Sequence, residues 1–241
     1  MRITWLSLYC FILIGLFPGA SSSAERLEYN LYWNGIKAGT AALEKKESGD
    51  SVQLISTVTS TPLAGVLYTV DDHVVSTLKK ERSNNGFGSS ASYRIKLREG
   101  RHRRDKEYLF DQSAKKIIYI NHLEQERVEF PLASPTLDPL ASIYYVRSAP
   151  LTVGKSVYVT IFDSKRIYRM EVRVLRREEV DTPAGRFKTI AIQPVIQSEG
   201  FFSRRGDLFL WLTDDARRIP VQIRTRIRLG AVTGQLSGGT Y

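Results

Sequence analysis

The chain has 241 residues, and its 35 lysines and arginines against 25 aspartates and glutamates give a formal net charge of +10 at pH 7. The single cysteine, Cys10, excludes a disulfide within the chain, so the fold must be stabilised by burial and hydrogen bonding. A chain of this length can form one substantial hydrophobic core.

Residues 1–24 have the three parts of a secretory signal. Arg2 supplies a positive charge, residues 5–17 form an apolar run, and Ser22-Ser23-Ala24 offers the small residues that a signal peptidase requires. The apolar run is too short to span a bilayer as a helix. The sequence therefore predicts cleavage after Ala24, export to the periplasm, and a single β-rich domain over residues 25–241. The cysteine leaves with the signal, which excludes a thiol nucleophile from the exported protein.

The first strands are predicted by hydrophobic alternation. From residue 27 onward, apolar side chains recur at every second position as far as Trp33, which is typical of a half-buried strand. Asn34-Gly35 follows, and this dipeptide readily adopts the positive φ angles of a two-residue hairpin turn. Residues 36–43 are predicted to return as the partner strand, in which small residues such as Gly39 permit close packing.

The same alternation continues to the end of the chain. In Thr182-Pro183-Ala184-Gly185, Pro183 and Gly185 are placed for a tight turn between two strands. About a dozen strands with little helix indicate an all-β sandwich or barrel. Beyond the first hairpin, the predicted strands cover residues 52–58, 93–97, 108–110, 117–120, 157–162, 167–175, 187–195, 208–212, 219–229 and 231–236.

Two segments depart from the strand pattern. Asp138 can cap the free amides of a helical first turn, and Pro139 is best tolerated just inside that start, so a short helix is predicted near residues 139–147. For Asp138 and Arg147, which flank this helix, we expect a helix cap and a buried ion pair or strand anchor rather than catalysis. Residues 63–68 resemble a helical turn or a corner between strands.

No sequence motif predicts catalysis, a metal site or a cofactor. Residues 86–91 match a loose dinucleotide-binding pattern, but no helix is predicted after them to hold a pyrophosphate. The three histidines, His73, His102 and His122, are isolated from one another and from ligand spacing for zinc. The carboxylate pairs Asp71-Asp72 and Asp214-Asp215 fall where turns are expected, and turns favour aspartate without any catalytic role.

Basic side chains offer a candidate ligand site. Several crowd a predicted hairpin around Gly100, and others are predicted to share one face of the strand from Arg218 to Leu229. A row of guanidinium groups can hold phosphates or carboxylates, such as those of anionic lipid or lipopolysaccharide headgroups. The alternative is a solvated outer face balanced by neighbouring carboxylates. Nucleic acid is not an expected partner outside the cytoplasm. The candidate row comprises Arg218, Arg224, Arg226 and Arg228.

Four segments, taken in order, carry a resemblance to a known family. They are residues 32–39 with Trp33, Gly35 and Gly39, residues 138–147 with Asp138, Pro139 and Arg147, residues 182–187 with Pro183 and Gly185, and residues 211–221 with Trp211 and Pro220. In this order they resemble the bacterial exported domain-of-unknown-function family 3108. The resemblance implies one periplasmic domain built on a long, strongly curved antiparallel sheet, either a spiral or a partly open barrel. The chain is also distantly similar to exported α-proteobacterial envelope proteins with a spiral sheet. The family supplies no catalytic residues to carry over.

Three hypotheses for function follow from these observations. The first is a non-enzymatic periplasmic protein that supports the cell envelope by binding an envelope protein or a cell-wall component. The second is a carrier of lipid or lipopolysaccharide, which requires a cavity that Trp33, Phe187 and Trp211 do not fill. The third is a hydrolase, which requires the fold to bring Asp138, Asp214 or Asp215 and a histidine together.

Overall fold

The computed structural model describes residues 24–80, 87–132, 135–195, 208–227 and 230–241. In this part of the chain, fourteen strands form one antiparallel sheet, and two short helices interrupt the strand order. The signal predicted over residues 1–24 therefore lies outside the described residues except for Ala24, where β1 begins. The strands are β1 Ala24–Trp33, β2 Ile36–Ser48, β3 Ser51–Ser60, β4 Asp71–Lys79, β5 Ser89–Glu99, β6 His102–Asp111, β7 Lys116–Asn121, β8 Glu126–Pro131, β9 Ser156–Asp163, β10 Arg166–Thr182, β11 Gly185–Val195, β12 Leu208–Thr213, β13 Pro220–Ile227 and β14 Gly230–Thr240; the helices are α1 Pro62–Leu67 and α2 Pro139–Ser148.

The strand order follows the chain in two meanders joined at their ends. Strands β1 to β8 pair with their neighbours in sequence, as do β9 to β14, and β1 pairs with β14 to unite the two halves. The pairing places Tyr29 opposite Leu236, more than two hundred residues along the chain. Strands β8 and β9 are the two edges of the sheet. The predicted all-β fold with a single long antiparallel sheet is confirmed, with more strands than expected and a second helix at residues 62–67.

The two edges of the sheet meet through side chains without pairing as strands. Phe130 on β8 lies 5.3 Å, ring centre to ring centre, from Phe162 on β9. The Lys165 Nζ atom donates to the Glu126 carboxylate across the same seam, at 2.7 Å. Strands at opposite ends of the strand order can touch only if the sheet curls around, so these contacts demonstrate its strong curvature. The result is a barrel-like sheet that is not closed by hydrogen bonds.

Aromatic residues fill the concave side of this sheet. Tyr108 is 2% exposed and contacts the rings of Tyr93, Tyr119 and Phe162 at centroid distances of 5.7, 5.3 and 5.7 Å. Leucine and isoleucine side chains from both meanders, including Leu54, complete the same core cluster. Aromatic pairs at these distances add to the stabilisation that burial of their large surfaces supplies.

Helix α2 occupies the interior at one end of the sheet. The predicted helix is confirmed, but it is not buried on one face only, as a helix on the outside of a sheet would be. Its buried residues lie on more than one face, because the helix packs inside the curved sheet rather than on its outer surface. They are Leu140, Ala141, Ser142, Tyr144 and Val146. We call this end of the sheet, which also carries the β2–β3, β6–β7 and β12–β13 turns, the α2 end, and the opposite end the α1 end.

Gly39 marks a close approach between β2 and the end of β3. A Cβ atom at this position would stand 2.6 Å from the carbonyl oxygen of Thr59. We expect Gly39→Ala to push the strands apart and lower the free energy of unfolding by about 2 kcal/mol, measured by urea denaturation. Gly238→Ala on β14 is the control, because nothing lies within 4 Å of its added Cβ. An equal loss in both variants would contradict the steric explanation.

Candidate functional site

Helix α1 presents an apolar surface to solvent. Leu63, Val66 and Leu67 recur at the i, i+3 and i+4 spacing that places side chains on one helix face. They are 82%, 83% and 81% exposed, and α1 has no buried residue. Soluble proteins seldom leave large apolar side chains clustered in water, and such a cluster marks an interaction site.

Hydrogen bonds hold this short helix in place despite its lack of buried side chains. Thr61 caps its start, accepting a hydrogen bond from the Ala64 amide through its Oγ1 atom, at 3.3 Å. The Thr61 amide donates to the Ala38 carbonyl of β2, at 2.8 Å. At the other end, the Thr69 hydroxyl donates to the Gly65 carbonyl, at 2.9 Å. The exposed apolar side chains are therefore displayed on a fixed support.

Two hairpins extend the apolar surface on either side of α1. Ile36, at the start of β2, is 74% exposed and lies next to the Asn34-Gly35 turn. Tyr68, which follows α1, packs beneath the β5–β6 hairpin, since a Cβ at Gly100 would stand 2.8 Å from its ring. The Gly100 amide also donates to the Thr69 carbonyl, at 2.7 Å. We call Ile36, Leu63, Val66, Leu67 and Tyr68 the apolar tip.

Exposed cations surround the apolar tip. Lys37 lies beside Ile36, the β5–β6 hairpin contributes three arginines, and β13 contributes two more. The β13–β14 hairpin is joined to the β1–β2 turn, because the Asn34 amide donates to the Ala231 carbonyl, at 2.9 Å. Among the described residues, no ion pair engages any of these side chains. We call them the flanking cations: Lys37, Arg98, Arg101, Arg103, Arg224 and Arg226.

A carboxylate on β4, beside the basic β5–β6 hairpin, is turned toward the backbone of that hairpin. Asp72 accepts a hydrogen bond from the Arg98 amide, at 3.0 Å. Partial burial raises the pKa of Asp72 to about 6, and the neighbouring carboxylates of Glu99 and Asp71 act in the same direction, whereas the Arg98 amide opposes the shift. Below that pH, the charge of the α1 end becomes more positive.

A buried acidic residue at the α2 end holds the helix to the sheet. Asp138 is completely buried, and its carboxylate accepts hydrogen bonds from the hydroxyls of Ser76 and Ser90 and from the Ala141 amide, at 2.8, 2.7 and 2.9 Å. Burial raises the pKa of Asp138, and these hydrogen bonds oppose the shift. The side chain thus caps α2 and ties it to β4 and β5, with no access for a substrate.

Arg147, at the other end of α2, is held by an ion pair. Its guanidinium donates to both carboxylate oxygens of Glu25 at the start of β1, at 2.7 and 2.6 Å. The same group lies over the Tyr144 ring, 4.7 Å from its centroid, and donates to the Arg217 carbonyl. Asp138 and Arg147 therefore attach the two ends of α2 to different parts of the sheet.

One protein family matches most of the chain. The family described as "Protein of unknown function (DUF3108)" matches residues 28–237, which include both helices and nearly all of the sheet. The chain belongs to the DUF3108 family. No curated protein matches it.

Solved structures similar to this DUF3108 chain show the fold alone. A beta-barrel-like protein of domain of unknown function DUF1849 from Brucella abortus is 10% identical, with a TM-score of 0.53 and coverage of 90% of this chain and 96% of that one. A protein described as exported, with a YmcC-like fold, from Bacteroides fragilis is 9% identical, with a TM-score of 0.33 and coverage of 90% and 95%.

The arginine row predicted for this DUF3108 chain does not form as one surface. Arg218 lies in the β12–β13 turn with a φ of 49°, and its guanidinium pairs with Asp214, at 3.1 Å. The prediction that Arg218 belongs to the strand was wrong, because β13 begins only at Pro220. Arg224 and Arg226 are exposed on β13. Arg228 lies outside the described residues.

Most other residues that carried the resemblance lie at turns and close contacts. Asn34 and Gly35 both have positive φ, at 48° and 86°, as a two-residue hairpin requires, and Trp33 ends β1 before them. Pro183 lies in the β10–β11 turn, and Gly185 after it has a φ of 128°. The Pro220 carbonyl accepts a hydrogen bond from the buried Tyr29 hydroxyl, at 2.7 Å.

Trp211 lies on the sheet face opposite its neighbours Leu210 and Leu212. Its Nε1 atom donates to the Glu178 carboxylate, at 2.6 Å, and its ring lies 6.2 Å from that of Phe209. Trp211 is only 8% exposed and belongs to the buried hydrophobic cluster, although strand alternation places it on a different face from Leu210 and Leu212.

The acidic residues considered for a hydrolase do not form one cluster, and each is bound to other side chains. Asp214 pairs with Arg177 and Arg218, and Asp215 pairs with Arg217, whereas Asp138 bonds to β4 and β5. The histidines lie elsewhere: His73 on β4, His102 at the start of β6 and His122 in the β7–β8 turn. Across the described ranges, no group of three or more histidine, cysteine, aspartate or glutamate residues could hold a metal ion. Helices in those ranges are also too short or too polar to cross a membrane.

The apolar tip was not among the predicted sites. The spacing of Leu63, Val66 and Leu67 is a helical signal, but periodicity alone does not tell whether the apolar face is turned to the core or to solvent. Gly65, within the same segment, is the signal that could have indicated exposure. A six-residue helix that contains glycine has little intrinsic stability and little surface with which to pack against a core.

Proposed function

We propose that this DUF3108 protein is a non-enzymatic protein of the periplasm, and that it acts by binding a component of the cell envelope through the apolar tip. The single observation that carries the proposal is the exposure of Leu63, Val66 and Leu67 on a helix that contributes nothing to the core. The signal predicted over residues 1–24 supports the location. Exposed apolar side chains that cluster on a surface lower the solubility of a protein, so such a cluster indicates a surface that binds a partner.

The contacts of the acidic residues support a role without catalysis. A general acid or base must reach its substrate, and Asp138 is enclosed by Ser76, Ser90 and the first turn of α2. Asp214 pairs with two arginines of its own meander, Arg177 and Arg218. The fold accounts for these carboxylates, so among the described residues they do not favour a hydrolase.

The packed interior favours surface binding over a carrier. A lipid carrier encloses acyl chains in a cavity lined by apolar side chains. Here the concave side is filled by contacting rings, with Tyr108, Tyr119 and Phe162 each no more than 2% exposed. The most exposed of the large apolar side chains in the described residues, Leu63, Val66 and Leu67, lie outside this interior, at the α1 end.

Cell fractionation tests this proposal. We expect the protein to be exported and recovered with the envelope fraction, and Leu63→Ser/Leu67→Ser to release it into the soluble periplasmic fraction without loss of folding, because neither side chain is buried. Val153→Ser/Tyr158→Ser removes two apolar side chains away from α1, which are 38% and 47% exposed, and serves as the control for loss of apolar surface elsewhere on the protein. Recovery of the unaltered protein in the cytoplasm, or release of both variants alike, would contradict the proposal.

A further inference from the structure

The α1 end combines two features that membrane-surface proteins use together. The apolar tip projects from the end of the sheet, and the flanking cations lie on the hairpins at both of its sides. We propose that this end docks on the surface of an anionic phospholipid bilayer, with Leu63, Val66 and Leu67 entering the interface and the flanking cations holding the headgroups. This inference rests on the proposed function and names the component that is bound.

The shape of the apolar tip favours a fluid partner. Leu63, Val66 and Leu67 occupy one face of a single projecting helix, and a folded protein would need a groove matched to that face. A bilayer adapts to an inserted apolar wedge, and short amphipathic helices bind by burying such a face at the boundary between headgroups and acyl chains. Ile36 stands on the neighbouring hairpin, so insertion can proceed at two points of the same end.

Charge complementarity identifies the lipid class. Lys37 and Arg101 lie on opposite sides of α1, on the β1–β2 and β5–β6 hairpins, and both are exposed. No carboxylate of the described residues pairs with either, so both remain available to phosphate groups. Basic residues at a membrane surface gain attraction from anionic lipids within a Debye length. Acidic residues also lie at this end: Asp71, Asp72 and Glu99 beside α1, and Glu124, Glu126 and Asp163 at the β7–β8 and β9–β10 turns. Asp72 is turned toward the Arg98 amide, and Glu126 is paired with Lys165.

Vesicle cosedimentation is the first test. The protein is isolated from cells that export it, and its N-terminus is read by intact mass, because a retained apolar run at residues 5–17 would itself bind lipid. We expect binding to vesicles of phosphatidylethanolamine with phosphatidylglycerol, and binding weaker by about tenfold or more to phosphatidylcholine vesicles. Added salt should weaken the first interaction, because it screens exposed charges.

Two pairs of substitutions separate the apolar and the electrostatic contributions. Leu63→Ser/Leu67→Ser and Lys37→Glu/Arg101→Glu are each expected to weaken binding to anionic vesicles by about tenfold or more. Lys115→Glu/Lys155→Glu makes the same change in net charge with exposed side chains of the α2 end, and should bind as the unaltered protein does. In Leu67→Trp, the indole emission should shift to the blue on anionic vesicles, since the side chain enters an apolar medium.

The outcomes distinguish this inference from the proposed function. Docking on the bilayer is supported if Leu63→Ser/Leu67→Ser and Lys37→Glu/Arg101→Glu both weaken binding to anionic vesicles and Leu67→Trp shows the blue shift. Absence of binding to anionic vesicles, or an equal loss in the α2-end control, overturns it. If vesicles are not bound while Leu63→Ser/Leu67→Ser still releases the protein from the envelope in cells, the bilayer is wrong as the partner and the proposed function stands, with a protein bound at the same tip. If the variant stays with the envelope, the proposed function fails as well.

Discussion

An alanine at position 138 is expected to lower the free energy of unfolding by roughly 3 kcal/mol, since it removes a helix cap and the acceptor of two buried hydroxyls. Asp138 has no exposed surface, and its carboxylate is the hydrogen-bond partner of Ser76, Ser90 and the Ala141 amide. In Asp138→Ala, water cannot easily replace that acceptor. Urea unfolding followed by tryptophan fluorescence measures the loss.

The cap of α1 offers a matched control. Thr61→Ala removes the same kind of bond, from Oγ1 to the Ala64 amide, on a helix with no buried residue. Its expected cost is about 1 kcal/mol or less, because water can satisfy the freed amide. If the two alanine variants lost equal stability, the buried serines would contribute nothing and the account of Asp138 would be wrong.

The variant Asp138→Asn tests the charge of this group separately from its hydrogen bonds. Burial raises the pKa of Asp138 in the folded protein, so its proton is held more tightly than in the unfolded chain. The contribution of the aspartate to stability is then fully present below its unfolded pKa and declines as the pH rises through the folded value. Asparagine does not titrate. We therefore expect the stability of Asp138→Asn relative to the unaltered protein to increase from pH 4 toward neutral pH; a difference independent of pH would contradict the shift.

The strands and hairpins could be predicted because their signals are local. Alternation up to Trp33 and the dipeptide Asn34-Gly35 define a strand and its turn within a few residues, and the structure places both there. Asp138-Pro139 gave the start of α2 in the same way. The pairing of Tyr29 with Leu236 has no such signal, because nothing near either residue encodes its distant partner. The family resemblance, rather than the periodicity, supplied the single curved sheet.

The candidate site was harder to predict because exposure is a tertiary property. Leu63, Val66 and Leu67 have the spacing of core-facing residues, and only the finished sheet reveals that nothing covers them. The prediction that Arg218 lies on a strand face was wrong for a related reason. Alternation placed it on a strand face, whereas the Asp214-Asp215 turn captures its guanidinium and gives it a positive φ. Arg224 and Arg226, farther from the turn, kept the exposure that alternation assigned to them.

Replacement of Arg147 by methionine is expected to lower the free energy of unfolding by roughly 3 kcal/mol, because it leaves a shielded carboxylate without its cation. The side chains of Arg147 and Glu25 are only 9% and 18% exposed, and two hydrogen bonds join them. The variant also loses the contact with the Tyr144 ring and the bond to the Arg217 carbonyl. Thermal and urea unfolding measure the effect.

An exposed arginine pair provides the control for this prediction. Arg186 joins Asp181 through two hydrogen bonds, at 2.7 and 3.1 Å, but the two side chains are 66% and 71% exposed. Arg186→Met should leave stability unchanged within error, since solvent screens such a pair and hydrates the remaining carboxylate. A similar loss in both variants would mean that methionine itself, rather than the stranded charge, is responsible.

A double variant decides whether the stranded charge is the cause. Glu25→Gln combined with Arg147→Met replaces the ion pair by two neutral side chains, so no carboxylate is left without a cation. We expect this protein to be more stable than Arg147→Met alone, with a coupling of about 1 kcal/mol or more between the two positions. Additive losses would show that the pair is not coupled. Coupling would establish that β1 and α2 are joined by charge, and that Glu25, next to the predicted cleavage site after Ala24, anchors the interior helix to the sheet.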